Sequence, residues 1–240
     1  FTYEEELRVK LDFVRASFER IGKLDVLPER IIGAESIAHY RNKAQYPVTM
    51  QDGRAVCGFY SRRSHRVVPC YDCELQPPEF AGIIKDIIDF ANDNAIPAYN
   101  EVDLTGELRH IYLRKGEHSG EIMLCLVGRT KRLGRMFEGL YDTLTDKYPM
   151  IKSIVLNINP KSTNAILGSE FITLRGSDTI DDIMCGKRIT LSPASFYQVN
   201  TAQATRLYQK AGEYAALKEG DILLDLYNFI STYYYEQCFH

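Results

Sequence analysis

The stretch Ser192-Pro-Ala-Ser-Phe-Tyr-Gln-Val-Asn200 leads through a predicted helix into Ile222-Leu-Leu-Asp-Leu-Tyr227, and these two pieces decide the fold. An amide-rich turn, a helix and then a short apolar run ending in Asp225 read as the first helix and strand of an open α/β unit. Ligands bind such folds at the carboxyl ends of their strands, where a glycine-rich turn lets the backbone approach closely. Here the strand is followed by Asn228-Phe-Ile-Ser-Thr-Tyr-Tyr-Tyr-Glu-Gln-Cys-Phe-His240, which contains no glycine. The sequence therefore predicts an α/β unit that is begun and then broken off. The opening Phe-Thr-Tyr-Glu, which starts directly on a helix signal without Met, predicts a cut N-terminal edge in the same way.

Upstream of this unit the text is mixed. Thr2 to Glu5 has capping-box spacing, and Leu7, Leu11, Val14, Phe18 and Ile21 repeat at helical intervals, so an amphipathic helix is expected that needs a partner surface. Residues 44–49 and 54–60 flank Gln51-Asp-Gly53 and read as a hairpin. Phe80, Ile83, Ile84, Ile87, Ile88 and Ala91 form one helical stripe. Strands are expected at 108–113, 121–127, 154–158, 170–174 and 187–191, and helices at 133–148 and from 200 to about 217, the last with Leu207, Ala211, Tyr214 and Ala215 inward. The fold class is α+β: a β-rich central domain with helices over 1–190, leading into a truncated α/β domain over 191–240.

Composition narrows the function classes. With 45% hydrophobic and 25% charged residues the chain reads as an ordinary globular protein, and no apolar run is long enough to span a bilayer. The acidic N-terminus is unlike a signal peptide, so a cytoplasmic protein is expected. A net charge of −3 means that affinity for nucleic acid must come from local basic patches. The six cysteines are too sparse for a disulfide framework.

Three groups of residues could carry chemistry. Arg41-Asn-Lys-Ala-Gln45 and Arg62-Arg-Ser-His-Arg66 interleave cations and amides with Tyr40, Tyr46 and Tyr60. Cations engage phosphates, amides read base edges, and aromatic rings stack on bases, which suits RNA; the plainer alternative is a solvated strand face. Arg109 and His110 fall on opposite faces of a strand, one a surface charge and the other a hydrogen-bonded histidine in the plainer reading. Cys70 and Cys73 have a metal-gripping spacing, but a complete site needs about four ligands and no second Cys-x-x-Cys exists. Ser195 lacks the glycine elbow of a hydrolase nucleophile. Gln198 and Asn200 could fix a polar ligand, although Asn200 is adequately explained as a helix cap.

Taken in order, Tyr40-Arg-Asn-Lys-Ala-Gln45, Ser64-His-Arg-Val-Val68, Gly106-Glu-Leu-Arg-His110, Leu156-Asn-Ile-Asn-Pro-Lys161 with Asn164 and Gly168, and Ser195-Phe-Tyr-Gln-Val-Asn200 through Asp225-Leu-Tyr227 resemble the bacterial RNA (uracil-5-)-methyltransferases, most of all those acting on 23S ribosomal RNA. The resemblance covers roughly residues 1 to 227. It implies an S-adenosylmethionine-dependent enzyme, with an OB-like RNA-binding domain ahead of the central domain and a Rossmann-like cofactor domain after it. Gln198 and Tyr227 are then cofactor-binding. On the reading of the residues themselves, Arg41, Lys43, Gln45, Arg62, Arg63, His65 and Arg109 are expected to be RNA-binding, and a monomer is expected. Many members hold a [4Fe-4S] cluster, for which Cys73 is the implied remaining ligand and Cys70 the alternative. In the implied mechanism a cysteine thiolate adds to C6 of uracil, C5 attacks the donor methyl group, and a carboxylate removes the C5 proton. The thiolate follows an Asp-Pro-Pro-Arg segment that this sequence does not contain, Cys238 lacks its neighbours, and the family's Cys-Gly-x-Gly turn is replaced by Asn228-Phe-Ile-Ser231. No catalytic residue is assigned, and the chain alone is expected to be inactive. The other readings are a non-catalytic RNA-binding remnant and a metal protein centred on Cys70 and Cys73.

Overall fold

A computed structural model describes residues 1–162 and 165–222. Asn164, Asp225, Tyr227 and Cys238 lie outside the described residues. Contacts divide the chain into two compact units, 1–38 and 39–240.

In the first unit, helix α1 (Tyr3–Ala16) is capped by Thr2, whose hydroxyl accepts from the Glu5 amide at 3.3 Å, and it widens into a π turn over Ser17–Ile21. The expected helix is present, and none of its residues is buried; Phe13 and Ile21 stand well exposed.

The second unit is built on a seven-stranded, mostly antiparallel sheet in the order β3-β2-β1-β4-β5-β6-β7. Strands β1 (Lys43–Gln51) and β2 (Arg54–Tyr60) form the expected hairpin, with Asp52 and Gly53 both at positive φ as a two-residue turn demands. The short β3 (Val67–Pro69) extends that edge. Helix α2 (Glu79–Asp93) buries all six residues of the stripe read from the sequence, each contributing about 1.5–3 kcal/mol of apolar burial. It is fastened to β2 by Asn92, which accepts from the Ala55 amide at 2.7 Å and donates to the Ala55 carbonyl at 3.0 Å.

β4 (Leu108–Lys115) and β5 (Ile122–Gly128) are almost wholly buried, and β5 pairs in parallel with β6 (Ile151–Ile158), which pairs antiparallel with β7 (Glu170–Gly176). The crossover between β5 and β6 corrects one expectation. Residues 133–148 are not one helix but α3 (Arg132–Met136), a 3-10 turn (Glu138–Leu140) and α4 (Tyr141–Lys147). Gly134 and Gly139 weaken a continuous helix, and the Tyr141 hydroxyl donates to the Gly134 carbonyl at 2.6 Å.

A separate hairpin, β8 (Ile180–Met184) with β9 (Lys187–Leu191), precedes α5 (Thr201–Ala215). Asn200 caps α5 by accepting from the Gln203 amide at 3.0 Å, as expected. The inward face is different: α5 buries Thr201, Ala204 and Gly212, while Leu207 is 63% and Tyr214 78% exposed. Small side chains let the helix lie close to the hairpin, where Ala204 and Tyr208 pack with Met184, Leu191 and Tyr197. Among the described residues no helix is long and apolar enough to cross a membrane.

Candidate nucleic-acid interface

One face of the sheet carries most of the predicted site. Register places Lys43 opposite Arg114, Gln45 opposite Tyr112 and Pro47 opposite His110, so these six side chains share a face. The opposite face, with Ala44, Tyr46, Ile111 and Leu113, belongs to the main core with α2. The polar face has a hollow at the start of β1, a fixed segment held at that same end, and a cleft at the far end.

The hollow is lined by Arg41, Lys43, Gln45, Cys73, Leu75 and Gln76, among others. It brings together three predicted RNA-binding residues and the predicted cluster ligand. Burial, and then the neighbouring Arg114 and Arg41 charges, lower the pKa of Lys43. Cys73 is half-buried here. Cys57 is a core residue beneath the same region; burial pushes its thiol up to about 12, and its carbonyl accepts from the Cys70 amide at 3.1 Å. Among the described residues no three His, Cys, Asp or Glu side chains are grouped so as to hold a metal ion, so the described donor set does not fit an iron–sulfur cluster.

Asn42, expected to read bases, is only 1% exposed and serves another end. Its Nδ2 donates to the Gln198 carbonyl at 2.8 Å and to Thr201 Oγ1 at 2.9 Å, and its backbone amide donates to the Val199 carbonyl at 2.8 Å. Arg114, also 1% exposed, donates from Nη1 to the Ser192 carbonyl at 3.0 Å and from Nη2 to the Ser195 carbonyl at 2.7 Å. Residues 192–200 are therefore pinned to the sheet at both ends, with the half-buried Gln198 fixed through its main chain. Tyr197 adds a third anchor, donating to the fully buried carboxylate of Asp182 at 2.7 Å. Asp182 also accepts from the Glu117 amide at 3.0 Å and the His118 amide at 2.8 Å, so its charge is held by donors from two segments. The other predicted cofactor residue, Tyr227, is outside the described residues.

At the far end Arg62, Arg63 and His65 occupy an exposed turn closed by the Ser61 amide donating to the Arg66 carbonyl at 2.8 Å. They rim a cleft whose floor includes Arg109 and His110. The expectation that these two fall on opposite faces is corrected by a register irregularity between Leu108 and His110: both line the same cleft, and both are buried. Arg109 is not a free phosphate ligand. Its Nη1 donates to the Asn159 and Lys161 carbonyls at 2.7 Å each, and its guanidinium lies 4.3 Å from the centroid of the Tyr99 ring. Burial, then the Arg109 charge, pushes the pKa of His110 down to about 4, so the ring is neutral at neutral pH.

Sequence reasoning missed Arg114, Asp182, Tyr99 and Glu101, and gave Asn42 a different role. The available signal for Arg114 was a cation two residues beyond Tyr112, in step with His110 on one face of the strand; nothing local identified its partners.

Comparison with known proteins gives three kinds of result. No protein-family model matches the chain. The chain is 40% identical over 237 residues to an uncharacterized RNA methyltransferase of Lactococcus lactis, an alignment that takes in 96% of this chain and 50% of that protein. It is likewise 40% identical to uncharacterized RNA methyltransferases of Streptococcus pyogenes, over 232 residues, and Enterococcus faecalis, over 231 residues. The chain spans about half the length of these relatives. Among solved structures it superposes on the crystal structure of Pyrococcus abyssi tRNA (uracil-54, C5)-methyltransferase in complex with S-adenosyl-L-homocysteine, with a TM-score of 0.68 and 22% identity, covering 86% of this chain and 48% of that one. At that identity the likeness is one of fold.

Proposed function

We propose that residues 1–240 belong to an RNA methyltransferase and form the part that holds RNA against its cofactor domain. The target in this reading is C5 of a uridine in ribosomal RNA, and the methyl donor is S-adenosylmethionine. The observation that carries the reading is a single sheet face with a basic hollow at one end, a basic and aromatic cleft at the other, and residues 192–200 pinned by Asn42 and Arg114 at the end that bears the hollow. The names of the 40% identical relatives and the fold of the methyltransferase structure support it.

The roles follow from placement. Arg41, Lys43, Arg62 and Arg63 engage phosphates, Gln45 and His65 contact bases or sugars, and Arg109 acts as a buried floor that keeps the cleft open by holding the carbonyls of Asn159 and Lys161. Gln198 and Tyr227 hold the cofactor, which supplies the electrophilic methyl group when bound. The division of labour is 1–190 for RNA and 191–240 for the start of the cofactor domain. No residue of this sequence is assigned as nucleophile or base, and no cluster is assigned to Cys73. The reading carries with it a monomeric cytoplasmic protein.

Photocrosslinking of the purified chain to single-stranded RNA, with the attached residues identified by mass spectrometry, tests the assignment. Crosslinks concentrated at 40–46 and 60–66 support it; crosslinks spread over α2 and α4, on the opposite side of the sheet, overturn it. Transfer of labelled methyl from S-adenosylmethionine to RNA by residues 1–240 alone would contradict the absence of a catalytic residue.

A further inference from the structure

The cleft at the start of β4 has features that phosphate binding does not use. Its walls are the rings of Tyr60 and Tyr99 and the side chains of Asn100 and Glu101, and its floor is Arg109 and His110. This cleft, about 290 Å³, adjoins a second of about 570 Å³ that Arg62 and Arg63 line, and the two share Tyr60, His65, Glu101, Arg109 and His110. Two of its floor residues carry a buried polar atom with no partner among the described residues: Nδ1 of His110, a residue 6% exposed, and Nε of Arg109, a residue 4% exposed. Buried polar atoms are ordinarily satisfied, so a pair of orphans in one cleft points to a ligand that satisfies them.

The chemistry of that ligand can be narrowed. Glu101 stands on the wall, with its carboxylate 3.4 Å from His65 Nδ1. A carboxylate repels an anion, so a phosphate is a poor occupant of the cleft itself. The phosphate-binding cations, Arg62 and Arg63, are instead out on the exposed rim. Tyr60 is 45% exposed and tilted against the His65 ring at a centroid distance of 5.6 Å, which leaves a flat aromatic surface open at the mouth. A flat heterocycle with hydrogen-bonding edges, carried on an anionic backbone, fits all of these conditions together.

We propose that this cleft is a subsite for one unstacked nucleobase of single-stranded RNA, stacked on Tyr60 and read at its edge by His110, Asn100 and Glu101, while Arg62 and Arg63 hold the adjoining phosphates. The base is not the one that is methylated. Arg109 and Arg114 are five residues apart on one strand, about 17 Å, so the cleft and the pinned segment bearing Gln198 are too far apart to share a base. The cleft fixes the register of the strand and so selects which uridine reaches the cofactor. The inference rests on the RNA reading above.

The test is the affinity of the 240-residue chain for a fluorescent single-stranded RNA compared with versions in which one base at a time is removed to leave an abasic sugar. At one position, loss of the base weakens binding about five-fold or more, the effect of losing one aromatic stacking contact. Tyr60→Ala abolishes that difference, so that intact and abasic RNAs bind the variant equally, and Tyr60→Phe restores it. His65→Ala, at an exposed position beside Tyr60, gives an independent partial loss. A flat abasic scan, or a selectivity unchanged in Tyr60→Ala, overturns the subsite while leaving RNA binding standing. Absence of RNA binding at any salt concentration sinks both the subsite and the reading on which it rests.

Discussion

Arg114 Nη2 and the carbonyl of Ser195, 81 positions apart in the chain, meet at 2.7 Å in a part-buried contact that fixes the segment carrying Gln198 to the central sheet. Arg114→Met removes this bond and the one to Ser192, but it also relieves a buried charge of its desolvation, so the global loss is modest, about 2 kcal/mol. The local effect is larger. Amide exchange in residues 192–200 accelerates far more than in β5, as hydrogen-exchange mass spectrometry would show. Arg114→Lys does not rescue, because one ammonium lacks the planar fork that reaches both carbonyls.

Asn42 performs the corresponding task at the other end of the segment. Asn42→Asp preserves shape but replaces the donor by acceptors facing the Gln198 carbonyl and Thr201 hydroxyl. The expected cost is about 2 kcal/mol, read from urea denaturation, with the start of α5 fraying first. Equal stability of the variant and the parent chain would show that the contact carries no weight.

Asp182 gathers donors from Tyr197, Glu117 and His118. Tyr197→Phe removes one bond and costs about 1 kcal/mol, whereas Asp182→Asn turns an amide N–H₂ toward groups that themselves donate and costs about 2 kcal/mol or more. The ordering of the two variants in a denaturation series is the check.

His110 makes stability depend on pH. Its folded pKa is depressed from 6.5 to about 4, chiefly by burial. Between these values the unfolded state binds the extra proton, so stability rises with pH through the window and is lost as pH falls, by up to about 3 kcal/mol. His110→Gln flattens the difference curve between pH 6.5 and 4. A wild-type and variant pair with parallel pH profiles would contradict a buried neutral imidazole.

Local pattern sufficed where the structure is local. The six-residue stripe of α2 and the Asp52-Gly53 turn are read correctly because periodicity and turn chemistry are written in consecutive residues. β8 was missed because two adjacent aspartates in Ile180-Asp-Asp-Ile-Met hide an alternation that is real, Asp182 being buried and satisfied by distant amides. The inward face of α5 was misread because apolar periodicity favours Leu207 and Tyr214, whereas the helix packs through small residues. The same limit applies to the site. The cations on the rim were legible, but the bond from Asn42 to Thr201 spans 159 positions, and no neighbouring residue signals it.

The most direct measurement is the affinity of the chain for single-stranded RNA as a function of salt, with Arg62→Glu/Arg63→Glu beside the parent protein. With Arg41, Lys43, Arg62 and Arg63 on phosphates, the logarithm of the binding constant falls with the logarithm of salt at a slope of about −3. The double variant is expected to bind at least about ten-fold more weakly at low salt, with a slope shallower by more than 1. No binding at about 50 mM salt, where electrostatic contacts are strong, or equal affinity and slope for the two proteins, would contradict the RNA-holding role.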